Sequence, residues 1–150
     1  MLNLRPAVPA DIDSLIRLLE QLFSIEQDFT VNPENQRRGL ELMMQSDTAY
    51  MVVAEQADEV VAMATLQILI STADGGRAGL IEDVVVSANH RGMGIGQSLL
   101  EHLIDWAEQH GLTRLQLLAD QDNQTALDFY TKQNWDCLLY TSDAADDETS

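Results

Sequence analysis

The segment Leu80-Ile81-Glu82-Asp83-Val84-Val85-Val86, followed by His90-Arg91-Gly92-Met93-Gly94-Ile95-Gly96-Gln97, decides the fold. Its first half belongs to a β-rich run, Gly79–Ser87. Its second half leads into a helix predicted from about Met93 to Gln109. There Ile95, Leu99, Leu100, Leu103, Ile104 and Trp106 recur at helical spacing, and Gly111 follows as a stop signal. Between strand and helix, glycines occupy alternate positions 92, 94 and 96. Without Cβ atoms, successive backbone N–H groups can approach one ligand closely. The helix N-terminus adds unpaired N–H groups and a dipole that favours an anion, and Arg91 adds a charge-assisted contact. Strand, glycine loop and helix in this order form a cradle for a pyrophosphate.

Two common pyrophosphate loops do not fit. A Walker loop ends in Gly-Lys-Ser/Thr, whereas Gly96 is followed by Gln97 and Ser98. A dinucleotide fingerprint needs its third glycine three positions after the second, and neither Gln97 nor Leu99 supplies it.

Outward from the loop, the chain reads as alternating strands and helices. Leu2-Asn3-Leu4-Arg5 alternates as a strand does and Pro6 ends it. Pro9-Ala10-Asp11 opens a helix carrying Ile12, Leu15, Ile16, Leu18, Leu19 and Leu22 on one face. Residues Phe23–Asn32 read as a loop or a frayed continuation, and Asn32-Pro33-Glu34 starts a second helix. Tyr50–Glu55 and Val60–Ile70 are strands joined at Ala57-Asp58, and Ser71–Gly79 has turn composition. Thr113–Ala119 is a strand, Asn123–Gln133 a helix, and a last strand is expected from Trp135. The order β-α-α-β-β-β-α-β-α-β predicts an α/β architecture with a mixed sheet and no internal domain boundary.

The 150 residues suit one domain, and an apolar fraction of 45% excludes wholesale disorder. One cysteine excludes a disulfide framework. No apolar run reaches the roughly 20 residues of a membrane span, and the N-terminus lacks a signal-peptide layout, so a cytoplasmic protein is expected. Eight basic residues against 25 acidic ones give −17, which argues against nucleic acid or an anionic membrane as partner. The same charge favours a cationic small molecule.

The loop Arg91-Gly92-Met93-Gly94-Ile95-Gly96, the strand before it and the segment Asn123-Gln124-Thr125-Ala126-Leu127-Asp128-Phe129-Tyr130 together resemble the GNAT (general N-acetyltransferase) superfamily. The resemblance covers about residues 2–136; it departs at Asn134-Trp135, where the family usually has glycine before an aromatic. It implies the acyl-CoA N-acyltransferase fold, acetyl-CoA as co-substrate, and transfer of acetyl to a primary amine by direct attack; from the histidine spacing no metal is expected. The Glu82-Asp83 pair before the loop is similar to that of diamine and polyamine acetyltransferases. Alternatives within the same fold are a peptide or protein N-acetyltransferase and a non-catalytic acyl-CoA sensor. Family members often form homodimers.

By the same resemblance, the backbone of Val84, Val85 and Val86 pairs with the pantetheine arm. Arg91, Gly92, Met93, Gly94, Ile95, Gly96 and Gln97 hold the pyrophosphate, and Asn123 hydrogen-bonds the pantetheine. Glu82 is the candidate base, expected to share a strand face with Leu80, Val84 and Val86; Asp83 points away unless a bulge interrupts the strand. Tyr130, seven residues after Asn123, is the candidate acid for the departing thiolate. Glu26, Asp28, Phe29 and Asp83 are candidate contacts to a cationic amine. His90, His102 and His110 lack metal-ligand spacing, and Trp106 reads as core.

Residues Cys137–Asp146 (CLLYTSDAAD) resemble the translation of a transposase sequencing adaptor. The expected domain is therefore 1–136, with 137–150 a non-native tail and the closing strand cut short. That tail carries four acids and no base, so 21 acids and 8 bases remain and the body keeps a charge near −13.

Overall fold

The apolar runs become strands of a sheet that is covered on both faces. The computed structural model describes residues 1–25, 32–120 and 138–140. Its elements are β1 (Asn3–Pro6), α1 (Ile12–Ile25), α2 (Pro33–Gln45), β2 (Ala49–Gln56), β3 (Glu59–Ser71), β4 (Gly76–Val86), α3 (Ile95–Gln109), β5 (Arg114–Asp120) and β6 (Leu138–Tyr140). Strand order follows chain order from β1 to β6. Pairing is antiparallel from β1 to β4, then parallel between β4 and β5 and between β5 and β6. The predicted helix Asn123–Gln133 lies outside the described residues; β6 falls inside the adaptor-like stretch.

Strand alternation sorts the core into two layers. Val52, Ala54, Ala62, Ala64, Leu66, Ile81 and Leu117 pack against Ile95, Leu99, Leu100 and Leu103 of α3. Met51, Val53, Met63 and Val85 face the opposite way, against Ile12, Leu15, Ile16, Leu18 and Leu19 of α1 and Leu40 of α2. Burial on both faces explains why these strands read as near-continuous apolar runs.

Two turns set the registers. Ala57 and Asp58 both take positive φ (52° and 62°), the mirror-image geometry that matches strand twist in a two-residue hairpin. The second turn is tighter than its composition suggests. The Gly75 N–H donates to the Ser71 carbonyl at 3.0 Å, and the Asp74 N–H to the Ser71 hydroxyl at 3.1 Å. This closes the hairpin at the Ser71↔Gly76 pair, so Gly76, Arg77 and Ala78 join β4 rather than the loop. At Gly79 a Cβ would stand 2.8 Å from a Leu115 methyl and 3.0 Å from a Leu112 methyl, so any larger residue would have to displace these leucine side chains.

Arg5 locks the N-terminal edge. Its guanidinium donates to both Asp11 carboxylate oxygens (2.8 and 3.0 Å) and to Glu55 at 3.3 Å. The Val8 N–H donates to Asp11 as well, at 2.8 Å.

Candidate active site

The register between β3 and β4 shifts at one place. Thr65 faces Glu82 but Met63 faces Val85, so β4 carries one residue more than β3 across this interval. Asp83 takes φ +53° there, a left-handed backbone uncommon outside glycine. The bulge overturns the expected alternation. Val84 and Val86 pack toward α3, and Val85 toward α1. Glu82 lies with β3 side chains of the other face: its carboxylate accepts from Gln67 Nε2 at 3.2 Å. Asp83 lines a cavity with Thr65, Leu19 and Leu40. Thr65 and Gln67, two apart on one strand, share a face, so both carboxylates look toward α1 and α2.

Burial raises the Glu82 carboxyl above its ordinary value, with the Gln67 hydrogen bond opposing. Asp83 is pushed up to about 6, chiefly by burial and then by the neighbouring Glu82 charge, with the Thr65 hydroxyl offsetting part. At pH 7 to 8 Asp83 is therefore largely ionised, and both carboxylates are more basic than ordinary ones, which suits them to take a proton from an ammonium.

Directly beside the bulge, β4 and β5 part. Their parallel pairs run from Ala78↔Arg114 to Ile81↔Leu117, whereas β4 continues to Val86 and β5 to Asp120. Among the described residues, the edge of Glu82–Val86 that faces β5 has no ladder partner, leaving backbone donors and acceptors for an extended ligand.

The glycine loop lies at the end of that edge. Gly92 and Gly94 both have φ +79°, and Gly94 caps α3, which begins at Ile95, two residues later than predicted. The first helical bond runs from the Ser98 N–H to the Gly94 carbonyl at 3.1 Å. The N–H groups of Ile95, Gly96 and Gln97 precede it and are the orphan donors of the helix start. Among the described residues, no heavy atom beyond the chain neighbours lies within 4 Å of a Cβ built on Gly92 or Gly94, so none of them fills the space above the loop. Arg91 Nε donates to the Val86 carbonyl at 3.2 Å and ties the loop to the strand end, while the side chain stays exposed. The donor set and the open space fit a pyrophosphate.

Glu82, Asp83, Val84–Val86 and Arg91–Gln97 thus lie along one strand–loop–helix unit. Glu26, Asp28, Phe29, Asn123 and Tyr130 lie outside the described residues. Among the described residues no group of three or more His, Cys, Asp or Glu could hold a metal ion. His102 is instead bonded to the Tyr50 hydroxyl at 2.7 Å, and His110 stacks on Trp106 with ring centroids 3.9 Å apart. Thr65, Gln67 and Gln36 were not singled out from the sequence. Thr65 and Gln67 left one trace, as polar residues two apart inside the apolar run VVAMATLQILI. A cavity of about 300 Å³ separates α1 and α2 from the bulge.

Residues 16–135 match the profile of the acetyltransferase (GNAT) family. Streptothricin acetyltransferase A of Bacillus subtilis strain 168 is 34% identical over 68 residues, which cover 42% of this chain. The chain spans only 39% of that relative's length. The crystal structure of glucosamine-6-phosphate N-acetyltransferase from Arabidopsis thaliana superposes with a TM-score of 0.71 at 27% identity, covering 90% of this chain and 91% of that one. A predicted acetyltransferase with acetyl-CoA from Clostridium acetobutylicum superposes with a TM-score of 0.75 at 21% identity, covering 90% of each chain, a likeness of fold.

Proposed function

The chain belongs to the acetyltransferase (GNAT) family, and from that premise we propose that it moves an acetyl group from acetyl-CoA to a primary amine of a small, cationic molecule. The observation that carries this reading is the parting of β4 from β5 after Ile81, with two raised carboxylates on one side and the glycine loop at its end. The acidic composition supports a cationic acceptor, and the streptothricin acetyltransferase relative supports a small-molecule one.

Acetyl-CoA, when bound, supplies the thioester as the acyl donor. The backbone of Val84–Val86 presents N–H and C=O groups to its pantetheine arm, with Asn123 hydrogen-bonding the same arm. The N–H groups of Ile95, Gly96 and Gln97, with Arg91, hold the pyrophosphate. Glu82 takes a proton from the acceptor ammonium, directly or through one water, because a protonated amine has no lone pair for attack. Asp83 holds the cation beside it. As nitrogen bonds to the acyl carbon and the carbon–sulfur bond breaks, Tyr130 gives its phenolic proton to the leaving thiolate, and the second proton shed by the nitrogen as the amide forms restores the phenol, directly or through water. Glu26, Asp28 and Phe29 complete the acceptor contacts in this reading.

The test is thiol release from acetyl-CoA against a panel of diamines, amine-bearing antibiotics and peptides. Release with small cationic amines is the expected result. Release with peptides alone would move the acceptor to a protein, and tight acetyl-CoA binding with no release from any amine would sink the catalytic reading.

A further inference from the structure

The cavity between the two N-terminal helices and the β4 bulge is bordered by one side chain whose buried polar atoms are unpaired among the described residues. Gln36 sits one turn into α2, after the Asn32 cap and Pro33. Its Nε2 and Oε1 are both buried, and neither has a hydrogen-bond partner among the described residues. Leaving a buried polar group unpaired costs stability, so an apolar residue here would make a more stable helix. The amide instead borders the same cavity as Asp83 and Thr65. At about 300 Å³ the space is at the lower end of small-molecule sites. Its remaining walls include Leu19, Leu40 and Met43, which suit an alkyl chain.

We infer that Gln36 is a specificity-determining residue, pairing its amide with a hydrogen-bonding group of an acceptor whose ammonium faces Asp83. Resting on the acetyl-transfer reading above, this narrows the acceptor to a class. An amide offers donors and an acceptor side by side, and its natural complement is another amide, joined through two parallel hydrogen bonds. The ammonium needs the carboxylate at the bulge, and the apolar walls of the same cavity suit a short aliphatic spacer. The acceptor is an aminoalkyl amide, a primary amine separated by a few methylenes from a carboxamide.

The experiment is calorimetric titration of the full chain, with coenzyme A present, by 4-aminobutanamide and by pentylamine. The wild type binds the amide about tenfold or more tightly than the alkylamine. Gln36→Leu, matched in size, lowers that preference to about threefold or less. Gln36→Glu keeps an acceptor but loses both donors, so it weakens the amide and favours 1,5-diaminopentane; it also covers the case in which the Leu variant does not fold. Equal affinity for the two probes in the wild type, no binding of either, or a preference that survives both substitutions overturns the role of Gln36. Coenzyme A affinity, measured alone, separates the two readings. Its absence removes the acetyl-transfer premise, whereas normal coenzyme A binding without amide preference removes only the inference about Gln36.

Discussion

The Thr65 hydroxyl donates to the backbone carbonyl of Glu82 at 2.8 Å, across the interval where β4 has one residue more than β3. A bulge breaks the ladder locally and leaves backbone groups in need of partners. Thr65 is fully buried, and its hydroxyl satisfies one of them from a fixed direction. The bond helps hold Asp83 in its left-handed conformation and keeps two adjacent carboxylates on one side of the sheet.

Thr65→Val keeps the shape and deletes the hydroxyl. It should cost about 1–2 kcal/mol in urea denaturation, the usual penalty for orphaning one buried partner. Thr65→Ser should recover most of the loss. The Val variant should also lose more kcat/KM than its stability explains, because the carboxylate pair is no longer held. A Val variant as stable and as active as the wild type would show that the bulge holds itself.

Asp83 should make the fold less stable as the pH rises. Its folded value, about 6, lies above the ordinary 3.8, so the folded chain binds this proton more tightly than the unfolded one. The associated stability is fully present below the ordinary value and is lost as the pH climbs through 6. The loss by pH 8 is on the order of 2–3 kcal/mol. Asp83→Asn removes the titration, and Asn tolerates the left-handed backbone. Denaturation midpoints at pH 4.5 and 8 should therefore draw together in the variant, with the gain at pH 8. An unchanged pH dependence would place the titration elsewhere.

Glu82→Gln addresses the proton transfer. If Glu82 removes the ammonium proton, kcat/KM near pH 7 should fall about 10²-fold or more, the usual size of general-base loss. The deficit should shrink above pH 9, where more acceptor is already unprotonated. In the wild type the rising limb of the profile should lie above the ordinary glutamate value, because burial raises Glu82. The two carboxylates interact, so the limb belongs to the pair. Survival of the limb in Glu82→Gln and its disappearance in Asp83→Asn would transfer the base role to Asp83.

The glycine loop was legible because it depends on residue type alone: positive φ at Gly92 and Gly94 is what alternate glycines permit. The core faces were legible from period-2 and period-3.6 patterning. The face of Glu82 was not, since a one-residue bulge leaves no mark in Leu80-Ile81-Glu82-Asp83-Val84 and reverses the expected alternation. Gln36 was invisible for a related reason. A glutamine on a polar helix reads as solvent-facing until the cavity beneath it is known. The extent of β4 was missed because Ser71-Thr72-Ala73-Asp74-Gly75-Gly76 closes with side-chain and backbone bonds that composition does not count.

Gly94→Ala separates backbone strain from steric exclusion. Among the described residues, no heavy atom beyond the chain neighbours lies within 4 Å of a Cβ at this position, so the substitution meets no clash with them. Its cost is the positive φ of 79°, about 1–2 kcal/mol for a non-glycine residue. Acetyl-CoA affinity should fall well beyond that strain, because the new methyl enters the open space over the helix N-terminus. Gly39→Ala, on α2 and equally free of close neighbours, is the control and should not weaken acetyl-CoA binding. Equal affinity in the wild type and Gly94→Ala would put the pyrophosphate elsewhere.

Asp11 should govern the acid limb of stability. The Arg5 guanidinium holds its carboxyl below the ordinary range, the Val8 N–H acts in the same direction, and burial opposes both. A depressed carboxylate contributes stability that is present above its unfolded value, about 3.9, and lost as the pH falls through the lower folded one. Asp11→Asn keeps the size but gives up the ion pair, leaving Arg5 with Glu55 at 3.3 Å as its remaining carboxylate. The pair is partly solvated through Arg5, whose side chain is 26% exposed against 8% for Asp11. A loss of about 1–3 kcal/mol at pH 7 is therefore expected, below that for breaking a fully buried pair. The wild type and variant should converge as the pH is lowered toward 2, because protonation then removes from the wild type what the substitution has already removed. Parallel stability curves from pH 7 to pH 2 would mean that neither the Arg5 contact nor the Val8 N–H favours the charged carboxylate, and that Asp11 contributes through packing and charge-independent bonding alone.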